Sequence, residues 1–301
     1  MAFDYDKWIR PGKLPHIWCP GCGHGIVMKG LIRAMETLQL KKEDTAVVSG
    51  IGCASRLPGY IDCCTLHTAH GRAAAFATGV KMAKPEMNVI LVGGDGDGTA
   101  IGGNHFIHAC RRNIDMTYII MNNYIYGMTG GQFSPATPTG HKASTTPYGN
   151  PDPNFDIAKL AIGAGATFVA RGTAFHANQI DKLIVEAINH KGFSVVEILD
   201  DCPTTYGRRN KFKSVIEMMN RLKEVAVPVK AAEKMTAEQL QGKVLTGVLY
   251  KDETKPEYTA EYIGIGGKRE AVRKTATGDY IVWFDDDDLP APDYISSILP
   301  Q

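Results

Sequence analysis

The sequence lacks the features that mark a membrane-bound or a secreted protein. No apolar run in its 301 residues approaches the roughly 20 residues that a membrane-spanning helix needs. The first residues, MAFDYDKWIRPGK, lack the basic and then apolar pattern of a signal peptide. We therefore expect a cytoplasmic protein with no membrane partner.

The sequence also has little net charge. Its 33 lysine and arginine residues nearly balance 32 aspartate and glutamate residues, which gives a formal net charge of +1. Proteins that bind nucleic acid usually present a dominant basic field, so this balance argues against that class. Hydrophobic residues at 44% and charged residues at 22% are ordinary for a globular chain. The length suffices for one large α/β domain or two small ones.

One stretch near the first third of the chain carries the clearest functional signal. The apolar run Val89–Val92 has the length of a buried parallel strand and ends in GGDGDG. We expect a turn there, in which glycines let backbone N–H groups approach a phosphate and Asp95 offers a carboxylate to Mg²⁺. After a helical segment, a second apolar run, Met116–Met121, ends at Asn122-Asn123. Acid and amide would then lie at the carboxyl ends of neighbouring strands, where open α/β sheets bind ligands.

A GDG triplet by itself is equally consistent with a tight turn between a strand and a helix. Its distance from the paired asparagines resembles the thiamine diphosphate motif, in which GDG is followed further along by NN. The longer string GDGDGTAIGGNHFIHACRRN…NNYIYGMTGGQFSPATPTG resembles β subunits of 2-oxoacid:ferredoxin oxidoreductases, most closely the 2-oxoglutarate branch. The resemblance covers about Trp18 to Tyr262. It implies an α/β fold with a doubly wound, mainly parallel sheet, the thiamine diphosphate-binding fold.

Several cysteines lie at turns rich in glycine or proline. Four of the seven are in the segments CPGCGH, GIGC and CPT: Cys19, Cys22, Cys53 and Cys202. The last two follow predicted strands, Thr45–Ser49 and Phe193–Leu199. From the residues alone, metal ligation, a redox-active CxxC pair and incidental cysteines all remain open. In the resembled family these four positions hold a [4Fe–4S] cluster, with zinc as the competing ion for four thiolates.

The resemblance also implies site residues around thiamine diphosphate. Mg²⁺ would be bound by Asp95, the Asn123 side chain and the carbonyl of Ile125. The full set expected to bind the cofactor is Gly94, Asp95, Gly96, Asp97, Asn123, Gly127 and Gln132. The segment HTAHGR resembles a family segment that places His70 and Arg72 near the thiazolium ring or a substrate carboxylate. Without the resemblance, this histidine is interpreted as an ordinary loop residue.

The resemblance implies an activity and an assembly. The activity is oxidative decarboxylation of 2-oxoglutarate with coenzyme A to succinyl-CoA and CO₂, with electrons passing through the cluster to ferredoxin. An α subunit is expected to complete the thiamine site. The sequence has no FAD or NAD signature and no ferredoxin-like CxxCxxC run, so an external electron carrier is expected. The alternatives are a branched-chain or pyruvate-specific oxidoreductase and a non-redox thiamine diphosphate enzyme.

We expect three regions along the chain. Residues 1–225 form the thiamine diphosphate- and iron–sulfur-binding domain, and residues 226–262 form a C-terminal extension of the same subunit. Residues 263–301 do not fit the family and resemble a fragment of a family 2 glycosyltransferase around its DDD run, where acids bind a metal and nucleotide-sugar phosphates. Because the preceding nucleotide-binding strands are missing, we interpret this tail as a remnant without activity of its own.

Overall fold

The structure, a computed structural model, describes residues 3–265 of the chain. The chain divides into two units, residues 1–259 and residues 260–301. Apart from its first three residues, the predicted glycosyltransferase-like tail at 263–301 lies outside the described residues. The three predicted regions stay predictions.

A mainly parallel sheet forms the centre of residues 1–259. In chain order the strands are β1 (Thr45–Ser49), β2 (Cys64–His67), β3 (Asn88–Gly94), β4 (Met116–Asn122), β5 (Ile125–Tyr126), β6 (Gln132–Phe133), β7 (Phe168–Thr173), β8 (Phe193–Leu199), β9 (Ala226–Pro228) and β10 (Val244–Lys251). Eight of them form one sheet in the order β2-β1-β3-β4-β8-β7-β10-β9, and β5 pairs with β6 in a separate ribbon. The first six strands of the sheet are parallel, and β10 runs antiparallel to β7.

Helices cover both faces of this sheet. They are α1 (His24–Thr37), α2 (Ala73–Ala83), α3 (Gly103–Arg112), α4 (Ile157–Gly163), α5 (Ala177–Asn189), α6 (Val215–Val225), α7 (Val229–Ala232) and α8 (Ala237–Leu240). Helices α1 and α5 pack against one face, while α2, α3 and α4 pack against the other. Among the described residues, no helix has the length and apolar character needed to cross a membrane.

The two cores explain why the strands are apolar along their whole length. Along β3, Ile90 and Val92 pack in the core beneath α1 and α5, whereas Val89 and Leu91 pack in the core beneath α2 and α3. Successive side chains of a strand point to opposite faces, so a strand covered on both faces needs apolar residues at every position. The predicted doubly wound, mainly parallel α/β fold is confirmed.

The sheet order creates a crevice between β1 and β3. These strands are neighbours, but the chain leaves β1 towards β2 on one side and leaves β3 towards β4 on the other. Such a reversal separates the segments at the carboxyl ends of the two strands, and ligands of open α/β sheets bind there. The segments at this crevice are the GIGC turn after β1 and the GDGDG segment after β3.

The expected glycine–aspartate turn after β3 is wrong in detail. The chain becomes helical at Asp95, immediately after the strand, and continues through a π-helical stretch, Asp97–Ile101, before α3 begins. Short π-helical stretches are rare and often lie at functional sites. The segment therefore brings the first backbone N–H groups of a helix directly to the edge of the crevice.

Candidate active site

A cleft lies at the reversal between β1 and β3, with about 450 Å³ of empty space when its open mouth is included. Most of the residues predicted from the sequence line it: Cys53, His70, Gly94, Asp95, Gly96, Asp97, Asn123, Ile125 and Gly127. The segments that follow β1, β3 and β4 contribute these residues, together with the turn before α2. The fold therefore brings together residues that are up to about 75 positions apart in the sequence, because the carboxyl ends of parallel strands share one edge.

Three oxygen atoms converge at the base of this cleft. The side-chain oxygen of Asn123 lies 2.8 Å from the carbonyl oxygen of Ile125 and 3.3 Å from Oδ1 of Asp95. In this orientation of the amide three oxygen atoms lie side by side, whereas with the amide turned over its nitrogen would donate to the other two oxygens. Octahedral Mg²⁺ holds ligands at 2.0–2.1 Å, which puts adjacent ligand oxygens about 2.9 Å apart. The chemistry and spacing of this donor set therefore fit Mg²⁺.

The carboxyl group of Asp95 is deeply buried. Only 1% of the residue is exposed, and Ser134 donates a hydrogen bond to Oδ2, which leaves Oδ1 facing Asn123. Burial raises the pKa of Asp95 to about 7, although the bond from Ser134 acts in the opposite direction. A carboxylate in such a place is stabilised by a cation beside it. Ser134 belongs to the loop after β6, and no periodic pattern in the sequence connects it with Asp95.

Asp97 connects three segments of the cleft wall. Its Oδ1 accepts hydrogen bonds from Nδ1 of His70 at 2.5 Å, from the backbone N–H of Gly71 at 2.8 Å and from that of Ile51 at 3.0 Å. Because a carboxylate only accepts, Nδ1 of His70 carries a proton, and in the neutral imidazole Nε2 is then the acceptor nitrogen. Asp97 thus fixes both the position and the tautomer of a histidine that lines the cleft.

Two residues predicted to lie near the cofactor, Arg72 and Gln132, are not among the described residues that line the cleft. The guanidinium of Arg72 donates to the carbonyl oxygen of Ile101 at 3.2 Å. The side chain of Gln132 pairs with Thr129, accepting from its hydroxyl at 2.6 Å and donating to its carbonyl oxygen at 2.9 Å. Their predicted roles at the cofactor stay predictions, and the geometry gives each a structural partner.

A buried polar network holds the paired asparagines at the end of β4. Asn122 donates to Glu197 at 2.8 Å, and its own oxygen accepts from the backbone N–H of Tyr124 at 3.1 Å. Arg171 donates to Glu197 at 2.7 Å and also pairs with Asp156. The first asparagine therefore ties the turn to β8 and β7, which leaves the second to face the cleft.

The four predicted ligand cysteines lie beside the cleft. The N-terminal pair is joined to the GIGC turn, because the indole of Trp18 donates to the carbonyl oxygen of Cys53 at 2.7 Å. Burial raises the pKa of the Cys53 thiol, and the thiols of Cys202, Cys22 and Cys19 are all close enough to raise it further. The remaining cysteines differ in exposure: Cys110 is buried, Cys63 is half-buried and Cys64 is exposed.

The spacing of the sulfur atoms distinguishes between two possible occupants. Tetrahedral Zn²⁺ holds thiolates at about 2.3 Å, which places sulfur atoms about 3.8 Å apart. Among the described residues, no three of these four sulfurs lie within 4.8 Å of one another. The thiols are therefore not gathered as tightly as the four ligands of a Zn²⁺ ion, and four thiolates are also the donor set of a [4Fe–4S] cluster.

A buried histidine between the cysteines and the cleft was not singled out from the sequence. His24 contacts Asp200 through Nδ1, and a sulfur of Cys22 lies within 4.8 Å of both groups. Burial alone would lower the pKa of His24, but the Asp200 carboxylate outweighs it and holds the pKa well above its usual value. The signal was present, because Asp200 follows the carboxyl end of β8 just as Asp95 follows that of β3.

The cleft and the four-cysteine site share a wall. Cys53 lines the cleft, and so does Gly127. A Cβ atom on Gly127 would lie 3.4 Å from the sulfur of Cys202 and 3.6 Å from that of Cys53. A group bound in the cleft and a cluster on the four cysteines would therefore be separated by little more than a glycine backbone.

Known proteins are similar to this chain in sequence over most of its length. Residues 50–198 match the family model described as thiamine pyrophosphate enzyme, C-terminal TPP binding domain. The chain is 52% identical over 255 residues to the 2-oxoglutarate synthase subunit KorB of Methanocaldococcus jannaschii. This match covers 85% of this chain and 94% of the relative. It is also 57% identical over 204 residues to the subunit of the same name from Archaeoglobus fulgidus. That match covers 68% of this chain and 76% of the relative.

A solved structure shows the same fold. It is a 2-oxoglutarate:ferredoxin oxidoreductase from Magnetococcus marinus with 2-oxoglutarate, coenzyme A and succinyl-CoA bound. The match has a TM-score of 0.79 and 36% identity, and it covers 91% of this chain and 92% of the other. With this fold, this cleft and these relatives, the chain belongs to the family of thiamine diphosphate-dependent 2-oxoglutarate:ferredoxin oxidoreductase β subunits.

Proposed function

We propose that this chain binds thiamine diphosphate, Mg²⁺ and a [4Fe–4S] cluster, and with an α subunit decarboxylates 2-oxoglutarate oxidatively to succinyl-CoA. The observation that carries the proposal is the wall shared by the cleft and the four cysteines at Cys53 and Gly127. A non-redox thiamine enzyme has no use for an electron acceptor at that position. The adjacency therefore favours an oxidoreductase.

Thiamine diphosphate, when bound, supplies the carbanion chemistry of decarboxylation. The role of the chain is to bind and orient it. Asp95, Asn123 and the carbonyl of Ile125 would hold Mg²⁺ against the diphosphate, and the helix that begins at Asp95 would offer its first N–H groups to the phosphate oxygens. Ser134 holds the Asp95 carboxyl group so that Oδ1 faces Asn123.

His70 would provide a hydrogen-bond acceptor at the cleft. Asp97 occupies Nδ1, so Nε2 is the nitrogen available to a bound group. A histidine held in this way can accept and return a proton without changing its position. Asp97 acts here as a positioning residue, since its Oδ1 is already shared among three donors.

The substrate carboxylates need a cation that this chain does not supply at the cleft. Among the described residues that line it there is no lysine and no arginine. Proteins usually bind the carboxylates of such a substrate through arginine or lysine side chains. The α subunit would therefore contribute the groups that bind the two carboxylates of 2-oxoglutarate, and the substrate choice would depend on that subunit.

The proposal is tested on the protein co-expressed with its α subunit and purified without oxygen. Reduction of a viologen dye is measured with coenzyme A and, in turn, 2-oxoglutarate, pyruvate and a branched-chain 2-oxoacid. We expect reduction that requires coenzyme A, is fastest with 2-oxoglutarate and yields succinyl-CoA. Release of CO₂ without dye reduction would instead show a non-redox thiamine enzyme, and faster reduction with another 2-oxoacid would overturn the substrate.

A further inference from the structure

A run of basic residues follows the turn that carries Cys202. Four of its side chains are exposed cations, Arg208, Arg209, Lys211 and Lys213. Within the part of the chain that the structure describes, none of them forms an ion pair. Four unpaired cations in six residues stand out in a chain whose net charge is only +1.

This run is held against the four-cysteine site at both of its ends. At the first end, the N–H of Gly207 donates to the carbonyl oxygen of Cys202 at 2.9 Å, and the N–H of Phe212 donates to that of Gly207 at 3.0 Å. At the second end, Val215 packs so closely on Gly21 that a Cβ atom there would lie 2.5 Å from the valine side chain. Gly21 lies between the two cysteines of the CPGC turn.

A fifth cation joins the run from the loop after β6. The side chain of Asn210 accepts from the backbone N–H of Lys142 at 2.9 Å and donates to its carbonyl oxygen at 3.0 Å. Lys142 is exposed. An acidic side chain, Glu217, also contacts the run, where it accepts from the backbone N–H of Lys213. We call these five cations the basic rim: Lys142, Arg208, Arg209, Lys211 and Lys213.

The basic rim borders the place where the four-cysteine site reaches solvent. Cys19 is exposed, whereas Cys22 and Cys53 are half-buried and Cys202 is buried. An electron that leaves a cluster here would leave on the exposed side, because electron transfer to a separate protein needs a close approach. The cations therefore lie where an electron-accepting protein has to bind.

We propose that the basic rim is the docking surface for an acidic one-electron carrier protein of the ferredoxin type. This inference rests on the proposed function. The 2-oxoacid and coenzyme A yield the acyl thioester, CO₂, one proton and two electrons, so two one-electron carriers must dock in turn for each turnover. Complementary charge suits such repeated short encounters, because it raises the association rate more than it lengthens the complex.

The test compares two double charge reversals in the complex with the α subunit. The test variant is K142E/K213E, which changes two exposed lysines from different segments of the basic rim. The control is K41E/K191E, whose exposed lysines precede β1 and β8 and therefore lie near the opposite ends of strands that lead to cysteines. Each variant is assayed with ferredoxin over a range of salt concentrations and with a viologen dye.

For the test variant we expect the KM for ferredoxin to rise about tenfold at low salt, with a weaker salt dependence. Viologen-linked activity and the KM for coenzyme A should match the wild type, and the control should match it in every assay. An unchanged KM for ferredoxin would overturn the proposal. A raised KM for coenzyme A would assign the rim to its phosphates, and loss of the α subunit on gel filtration would assign it to the subunit interface.

The design separates this proposal from the function on which it rests. If the wild-type complex reduces the viologen dye with 2-oxoglutarate and coenzyme A, the proposed function holds whatever the rim variants do. If the wild type reduces neither acceptor, the proposed function has failed.

Discussion

At the scale of single residues, burial in the cleft strongly disfavours the charged form of Asp95. Its carboxyl group is almost wholly buried, and burial raises its pKa to about 7. The Ser134 hydroxyl donates to this carboxyl group and the charge of His24 acts in the same direction, but neither offsets the cost of burying a negative charge. Under the proposed function, a bound Mg²⁺ would stabilise the ionised carboxyl group of Asp95.

We expect Asp95→Asn to weaken thiamine diphosphate binding by about tenfold to a hundredfold or more, because even residues that only support a metal ligand have effects of that size. Binding is measured by calorimetry with Mg²⁺ present. The iron content should stay at the wild-type level, since the cysteines are untouched. Unchanged binding would show that the three converging oxygens do not hold the metal.

Substitution of Cys53 should have the opposite pattern of effects, with iron lost and cofactor binding kept. We expect Cys53→Ser to lower the iron content and the visible absorbance, while thiamine diphosphate binding is largely retained, because the oxygen ligands are intact. Cys63→Ser is the matched control, since Cys63 is also half-buried and its sulfur instead contacts the carbonyl oxygen of Cys64 at 3.4 Å. Equal iron loss in both variants would contradict the assignment of Cys53.

At the scale of elements, the cleft depends on glycines that let segments approach closely. A Cβ atom on Gly50, just after β1, would lie 2.3 Å from Oδ2 and 2.4 Å from Oδ1 of Asp97. Gly96 is equally constrained, since its Cβ would lie 2.3 Å from the ring of Tyr126. Gly50 thus lets the GIGC segment contact the GDGDG segment, and Gly96 lets the GDGDG segment contact the segment after β4.

We expect Gly50→Ala to lower the Tm by about 3–10 °C, because overpacking of this kind typically costs about 1–3 kcal/mol. It should also reduce kcat, since displacing Asp97 displaces His70. The control is Gly79→Ala within α2, where a Cβ meets nothing within 4 Å and alanine favours the helix. A Gly50→Ala protein with the Tm and kcat of the control would refute this role for Asp97.

The elements themselves were largely readable from the sequence. Strands β1 and β8 begin and end at the predicted residues, because each is a short apolar, β-branched run buried on both faces. The helix that starts at Asp95 could not be predicted from the sequence. The several glycines of this segment favour a turn, and only tertiary contacts override that preference. The partners Ser134 and Asp200 were missed because their contacts with Asp95 and His24 are long-range and follow no local period.

At the scale of the whole molecule, the chemistry lies at one edge of the sheet. The converging oxygens and His70 lie at the cleft, Cys53 and Gly127 form the wall that the cleft shares with the four cysteines, and the basic rim follows the turn of Cys202. Under the two proposals this order would run from cleft to cluster to docking surface, because the carboxyl ends of the parallel strands reach the same edge of the sheet. Because the cleft residues described in this chain include no lysine or arginine, the proposed function assigns the cations that bind the substrate carboxylates to the α subunit.

The most direct test of this order is an anaerobic absorption spectrum of the complex, with iron and zinc analysis, before and after 2-oxoglutarate and coenzyme A are added. The account predicts about four irons per chain, little zinc, and visible absorbance that bleaches only when both compounds are present. Zinc in place of iron, or a cluster that both compounds together leave oxidised, would contradict the claim that the cleft delivers electrons to the four-cysteine site.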